Sequence, residues 1–449
     1  MQRYIEQQLL EWKNRKDRKP LILKGARQVG KTYILKKFGE EEYENVSYFN
    51  FDHDENLKEL FVNTKDPKRI LEQLAIVNGR AIKPEKTLIV FDEIQECPDA
   101  LNSLKYFQEE ANEYHIICAG SLLGIRLSHT SFPVGKVDYL EMYPMTFTEF
   151  LLADGGENLV KYMETIKKIE KIPDIIFTQL NEKIKIYFIT GGMPEVVKTW
   201  VETKDLESVN RIQNQIIKGY EEDFGKHVDT PNLQAKISII WESIISQLSR
   251  ENKKFLYQAA KDGARAREYE DAVNWLDDAN IVHKIFNITK PDFPLNAYTD
   301  LSSFKLYLCD VGLLRKKANL DSKIIIEGNR LFEEFKGALT ENFILDMLLY
   351  KFEIKPNYYT FDRHEIDFIL QYKNEIIPIE VKSSESINNI SLTRFNEINN
   401  NKVSIRFSAK NLDMSGKIIN IPIFMAEYVD KLIDIGLSIW NYNSNKQNS

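Results

Sequence analysis

Apolar positions along this chain fall into blocks whose period changes, and each change marks an element. Ile5, Leu9 and Trp12 recur at helical spacing over residues 4–16, which gives a first helix one apolar face. The run LILK at Leu21–Lys24 is unbroken until its lysine and predicts a buried strand; the charged, amphipathic YILKKFGEEEY after the next turn predicts a helix. VSYFNFD at 46–52 has the β-branched and aromatic content of a second strand, and a helical region follows over 56–78. The apolar run 88–91 predicts a third strand, buried and carrying Asp92 and Glu93 at its C-terminal end. HIICAGS at 115–121 predicts a further strand. VDYLEMYPMTFTEFLLA predicts a last one running into a helix that Thr146, Thr148 and Glu149 would cap.

Beyond this point the pattern is mostly helical. Residues 157–232 are charged, and in YFITGGMPEVVKTW the pair Gly191-Gly192 followed by Pro194 ends one helix and starts another. Ile237, Ile240, Trp241, Ile244 and Leu248 share one face of a helix over 236–248. KKFLYQAAKDG and EYEDAVNWLDDAN predict two more helices, and IVHKIFNI and SFKLYLCD predict two strands around the loop PDFPLN. Helix, turn, helix and hairpin is the layout of a winged helix, with Arg265 and Arg267 just before its recognition helix. Against nucleic-acid binding there, Glu268, Glu270, Asp271, Asp277 and Asp278 crowd that helix with negative charge, and packing is the alternative. ALTENFILDMLLY then predicts a helix with Glu341 near its start. FDRHEIDFILQYKNEIIPIEVKSS reads as two strands joined by a polar turn, and VSIRFSAKNLD and IINIPIFMAEYVDKLID as a strand and a closing helix. The expected domains are 1–150, 151–232, 233–320 and 321–449.

Composition narrows this picture only a little. A hydrophobic share of 43% and a charged share of 28% are those of an ordinary globular protein, and only the terminal NSNKQNS reads as disordered. The net charge of −7 argues against a generally basic nucleic-acid binder but leaves local patches open. Cys97, Cys118 and Cys309 have no paired spacing, which predicts free thiols and a reducing, cytoplasmic setting rather than disulfides or zinc. No apolar run approaches the length of a membrane span, and the amphipathic N-terminus does not read as a signal peptide.

The candidate chemistry begins at Gly25-x-x-x-x-Gly30-Lys31-Thr32, between the first strand and its helix. A phosphate chain needs many donors in a small space, and a glycine-rich turn at a helix N-terminus supplies backbone N–H groups without side-chain entropy. Gly25, Ala26, Arg27, Gln28, Val29, Gly30, Lys31 and Thr32 would form that cradle, Lys31 reaching the terminal phosphates and Thr32 holding magnesium. Asp92 would hold the same ion, and Glu93, pointing elsewhere, could polarise an attacking water; taken alone, Asp92 also reads as a helix cap. Ser121 is the candidate sensor of the terminal phosphate, with a plain turn at Gly120-Ser121 as the alternative. Arg126 and Lys136 are candidates for a cation that meets the transition state.

With these residues in view, RKPLILKGARQVGKT, FDEIQECPDAL, the AGS turn and YPMTFTEF resemble a family of prokaryotic AAA-type ATPases whose ATPase domain is followed by a C-terminal domain of uncharacterised function. The resemblance implies ATP as the ligand of Gly25 to Thr32, magnesium at Thr32 and Asp92, Glu93 as the catalytic carboxylate, and a lid region near GGMPEVV. Related sequences often carry Gly-Arg where this chain has Gly135-Lys136, so the resemblance does not extend to a guanidinium there.

A second constellation lies in the last quarter. Strand alternation puts Glu380 and Lys382 on one face, Asp367 belongs to the preceding strand, and Glu341 to a helix upstream. Two carboxylates and a lysine at a hairpin can hold one or two divalent ions and steady a metal-activated water; they can equally form an ion-pair network. Asp367…Glu380-x-Lys382 resembles the PD-(D/E)xK nuclease fold. The fold class expected is therefore α/β: a P-loop NTPase parallel sheet with a helical lid, a winged helix, and a C-terminal PD-(D/E)xK-like domain. Three uses follow as expectations: an ATP-dependent enzyme acting on nucleic acid, an ATP-controlled adaptor for a protein partner, and a structural site that holds ADP without turnover.

Overall fold

The computed structural model describes the chain except residues 53, 121–132, 226–229, 251, 328–332, 384–389 and 448–449. It comprises two compact units, Gln2–Tyr143 with Asn274–Ile281, and Pro144–Val273 with Val282–Ser449. Among the described residues no helix is long and apolar enough to cross a membrane.

In the first unit, α1 (Ile5–Asn14) precedes β1 (Leu21–Lys24), α2 (Lys31–Glu42) and β2 (Asn45–Asn50). Then come α3 (Glu55–Asn63), α4 (Pro67–Asn78), β3 (Thr87–Asp92), α5 (Pro98–Glu110), β4 (His115–Ala119) and β5 (Asp138–Glu141). The five strands are parallel in the order β2-β3-β4-β1-β5. All six residues of β3 are buried, as its unbroken apolar run requires of a strand covered on both faces. Because the strands are parallel and closely registered, with Ile22 and Phe91 both opposite Cys118, the C-terminal ends of β1, β3 and β4 share one rim. The helical region expected over 56–78 is two helices. Asp66 caps the second through the Lys68 N–H, and Pro67 stands in its first turn, where a missing N–H costs nothing. Phe51, Phe61 and Phe91 pack edge to face at 5.5–5.6 Å beneath these helices.

The second unit begins with α6 (Phe147–Ala153), opened by a capping box in which Thr146 and Glu149 exchange hydrogen bonds. Thr148, expected to share in that cap, instead donates from its N–H and hydroxyl to the buried Glu427 carboxylate at 2.7 and 2.8 Å. There follow α7 (Glu157–Thr165), α8 (Asp174–Thr190), α9 (Pro194–Thr203), α10 (Leu206–Asp223) and α11 (Pro231–Leu248). The break between α8 and α9 falls at Gly191-Gly192 and Pro194, and α11 buries the apolar face named above.

After α12 (Tyr257–Ala260) and α13 (Ala266–Asp278) come β6 (Val282–Ile288), β7 (Thr299–Leu308), α14 (Val311–Lys317), α15 (Ser322–Glu327) and α16 (Glu333–Phe352). The chain closes with β8 (Asn357–Phe361), β9 (His364–Tyr372), β10 (Glu375–Val381), α17 (Ile390–Ile398), β11 (Ser404–Ser408), β12 (Asp413–Ser415), β13 (Ile418–Pro422) and α18 (Val429–Gln447). All eight strands form one mixed sheet in the order β12-β13-β11-β10-β9-β8-β6-β7.

Three expectations change here. The helix expected from KKFLYQAAKDG is a single turn with no buried residue: Phe255 is extended, donates its N–H to the Phe304 carbonyl at 2.7 Å and stacks on that ring, so its apolar surface is used on β7. The hairpin β6–β7, expected as a wing, joins the sheet of β9 and β10 through parallel pairing of β6 with β8 at Asn287 and Ile288. Glu341, expected near a helix start, is well inside α16, which begins upstream of the apolar run.

Candidate nucleotide site

Local geometry at the phosphate loop follows from its glycines. Gly25 has φ +143°, and a Cβ there would lie 2.2 Å from the Met142 carbonyl oxygen; Gly30 has φ +94° and precedes α2 without any side-chain cap. The first-turn N–H groups of α2 are thus left to a ligand, the arrangement that favours anions. Val29 is buried, Gln28 (φ +65°) is exposed, and Ala26 and Arg27 complete the bend. Lys31 is folded back, donating to the carbonyls of Gly25 and Ala26 at 2.8 Å each. Loss of water around its ammonium pulls its pKa down to about 8, against the opposing pull of Glu93 and Asp92. An anion in the loop would offset that loss.

Asp92 is buried, and its Oδ2 accepts from the Thr32 hydroxyl at 2.7 Å and the Tyr48 hydroxyl at 2.6 Å. Its Oδ1 accepts the Glu93 N–H at 3.1 Å, so it caps no downstream helix. Glu93 leaves the strand with φ +52° and accepts from Gln95 Nε2 at 2.5 Å. The Thr32 hydroxyl and Asp92 carboxylate are hard oxygen donors on one side of the loop, which fits magnesium held jointly with phosphate oxygens.

Ser121 and Arg126 lie outside the described residues. Lys136 forms an ion pair with Glu109 at 2.8 Å. Sequence reasoning missed Arg3, whose buried guanidinium donates to the carbonyls of Val29 at 3.2 Å and Tyr143 at 2.7 Å. It ties the loop to two distant segments, and no local pattern announces such a residue. Tyr48 was missed too, though its place on a strand beside β3 is a usable signal.

The second constellation is brought together but is wired internally. Lys382 pairs with Glu380 at 2.5 Å, Lys253 pairs with Glu341, the Tyr307 hydroxyl donates to Glu341 at 3.1 Å, and Asp367 accepts the Val381 N–H at 2.8 Å. Lys305, with no solvent exposure, pairs with Glu365. Burial pushes Asp367 up to about 8, with Glu341 and Glu380 adding to the shift and Lys305 and Lys253 opposing it. Burial also raises Glu341, yet Lys253 and Lys305 hold it below the usual carboxylate value. Among the described residues no group of three or more His, Cys, Asp or Glu is arranged to hold a metal ion. Lysine ammoniums, the Tyr307 hydroxyl and a backbone N–H already engage these carboxylates, while Glu380 Oε2 is buried with no hydrogen-bond partner among the described residues.

Family comparison divides the chain in three. Residues 17–151 match the model of an AAA domain, and 181–324 and 336–424 match two domains of unknown function (DUF8612 and DUF4143). No curated protein matches the chain. Among solved structures it is similar to C. elegans PCH-2, at 12% identity over 46% of this chain and 66% of that one, with a TM-score of 0.28. It is also similar to AMPPCP-bound DnaA from Aquifex aeolicus (16%; 61% and 86%; 0.23) and to the S. cerevisiae Hsp104-ADP complex (13%; 77% and 43%; 0.26). The chain thus spans just under two thirds of the first and less than half of the last, and TM-scores of this size carry no fold assignment. The AAA-domain match covers the strand, loop and acidic pair described above, and it supports an AAA-type ATPase in residues 17–151.

Proposed function

We propose that the chain binds ATP at Gly25 to Thr32 and hydrolyses it with magnesium. The observation that carries this reading is the 2.7 Å contact between Thr32 and Asp92 at the mouth of a loop whose lysine, among the described residues, has only backbone carbonyls as hydrogen-bond acceptors. The loop amides and Lys31 bind and orient the phosphates. Thr32 and Asp92 hold magnesium, which when bound screens charge on the phosphate oxygens. Tyr48 keeps Asp92 in place, and Glu93 takes a proton from the attacking water. Purified protein is expected to release phosphate from ATP with magnesium and to stop when EDTA is added; release unaffected by EDTA would remove magnesium from the reading.

For the second unit, two uses were open, cleavage of nucleic acid and docking of a protein partner under ATP control. The ion pairs Lys382–Glu380 and Lys253–Glu341 favour the second, because a metal would have to compete with an ammonium at each of those carboxylates, although Glu380 Oε2 has no hydrogen-bond partner among the described residues. Incubation with DNA or RNA in magnesium or manganese is expected to give no cleavage. Cleavage that is lost in Lys382→Ala would reverse the choice.

A further inference from the structure

We infer that Gln95 is a positioning residue for hydrolysis, a buried amide that fixes the Glu93 carboxylate in one orientation. The inference rests on the reading of Glu93 as the group that activates water. β3 ends at Asp92, and Glu93 then adopts φ +52°, a left-handed conformation that costs a non-glycine residue and persists only where surroundings impose it. A 3-10 turn over Ile94–Glu96 follows, closed by Glu96 N–H to the Glu93 carbonyl at 2.9 Å and Cys97 N–H to the Ile94 carbonyl at 3.1 Å. With Ile94 fully buried, this turn carries residue 95 back toward the Glu93 side chain. Gln95 is 8% exposed, and its Nε2 donates to Glu93 Oε2 at 2.5 Å, a short bond of the charge-assisted kind.

The other end of the amide is equally constrained. Gln95 Oε1 is buried and has no hydrogen-bond partner among the described residues. It faces Gly120 at the end of β4 so closely that a Cβ there would lie 2.5 Å from it. An unpaired buried carbonyl is a net cost, so packing alone would be better served by leucine or methionine at this position. What the glutamine provides instead is one N–H aimed at one carboxylate oxygen. Because the amide is neutral, it orients Glu93 without the added positive charge by which lysine or arginine would weaken it as a base. Among the described residues no hydrogen bond reaches Glu93 Oε1, which can therefore accept from the attacking water.

The test uses the full chain and three variants, with kcat, KM for magnesium-ATP, affinity for a fluorescent ATP analogue and thermal midpoint measured for each. Gln95→Leu keeps the volume and removes the donor; kcat is expected to fall on the order of tenfold to a hundredfold, the effect of losing a hydrogen bond to a charged group. KM, affinity and thermal midpoint are expected to stay near wild type. Gln95→Glu replaces the donor with a second carboxylate beside Glu93, so kcat is expected to fall at least as far as in Gln95→Leu; turnover within twofold of wild type would overturn the positioning role. Glu93→Gln is the control. If it is slow while Gln95→Leu keeps kcat within twofold, or Gln95→Leu loses kcat only together with affinity and thermal midpoint, the positioning role is overturned and the base survives. If Glu93→Gln turns over like wild type, the base reading itself is wrong and the inference falls with it.

Discussion

Glu93→Gln is expected to bind magnesium-ATP with wild-type affinity while losing turnover by about 10²- to 10⁴-fold, the range that general-base catalysis supplies. The substitution keeps the size of the side chain and its ability to accept from Gln95, so the loop, Asp92 and the Thr32 contact should be undisturbed. Single-turnover phosphate release, run beside a binding titration, separates the two effects. Loss of both affinity and turnover would mean that Glu93 builds the site rather than acting in it.

Lys305→Met is expected to destabilise the second unit by about 3 kcal/mol or more, the usual cost of leaving buried carboxylates without their cation. Lys305 has no solvent exposure; burial works against its charge, but Glu365, Glu341 and Asp367 more than offset this and hold its pKa above the ordinary lysine value. Methionine fills the space but cannot neutralise these acids. The thermal midpoint should fall by on the order of 10 °C near neutral pH. The deficit should narrow as pH is lowered, because the carboxylates then take up protons in place of the missing ammonium. A midpoint within a degree or two of wild type at neutral pH would show that the network is dispensable.

How far these features could be read from the chain depends on the distance over which they are encoded. β1, the phosphate loop and α2 are contiguous, so a short apolar run, two glycines and a lysine-threonine pair specify them together. β3 with Asp92 and Glu93 is equally local, and the capping box of α6 needs only Thr146 and Glu149. The separation of α3 from α4 turns on Asp66-Pro67, a cap and first-turn proline inside the stretch expected only as a helical region. Phe255 shows the limit of periodicity, since its partner Phe304 on β7 lies far along the chain and decides that the segment is extended. The same distance hides Arg3 from Val29 and Lys253 from Glu341. The nuclease-like pattern was legible as residue types, but whether its acids face a metal or a lysine depends on Lys253 and Lys305, which stand outside the motif.

The central claim is that the loop from Gly25 to Thr32 grips a triphosphate, and titration of a fluorescent ATP analogue in magnesium into wild type and Lys31→Ala tests it most directly. Saturable binding to wild type, weakened at least about thirtyfold in the variant from the loss of roughly 2 kcal/mol or more of charge pairing, is the predicted result. Absence of saturable binding, or equal affinity in the two proteins, would contradict it.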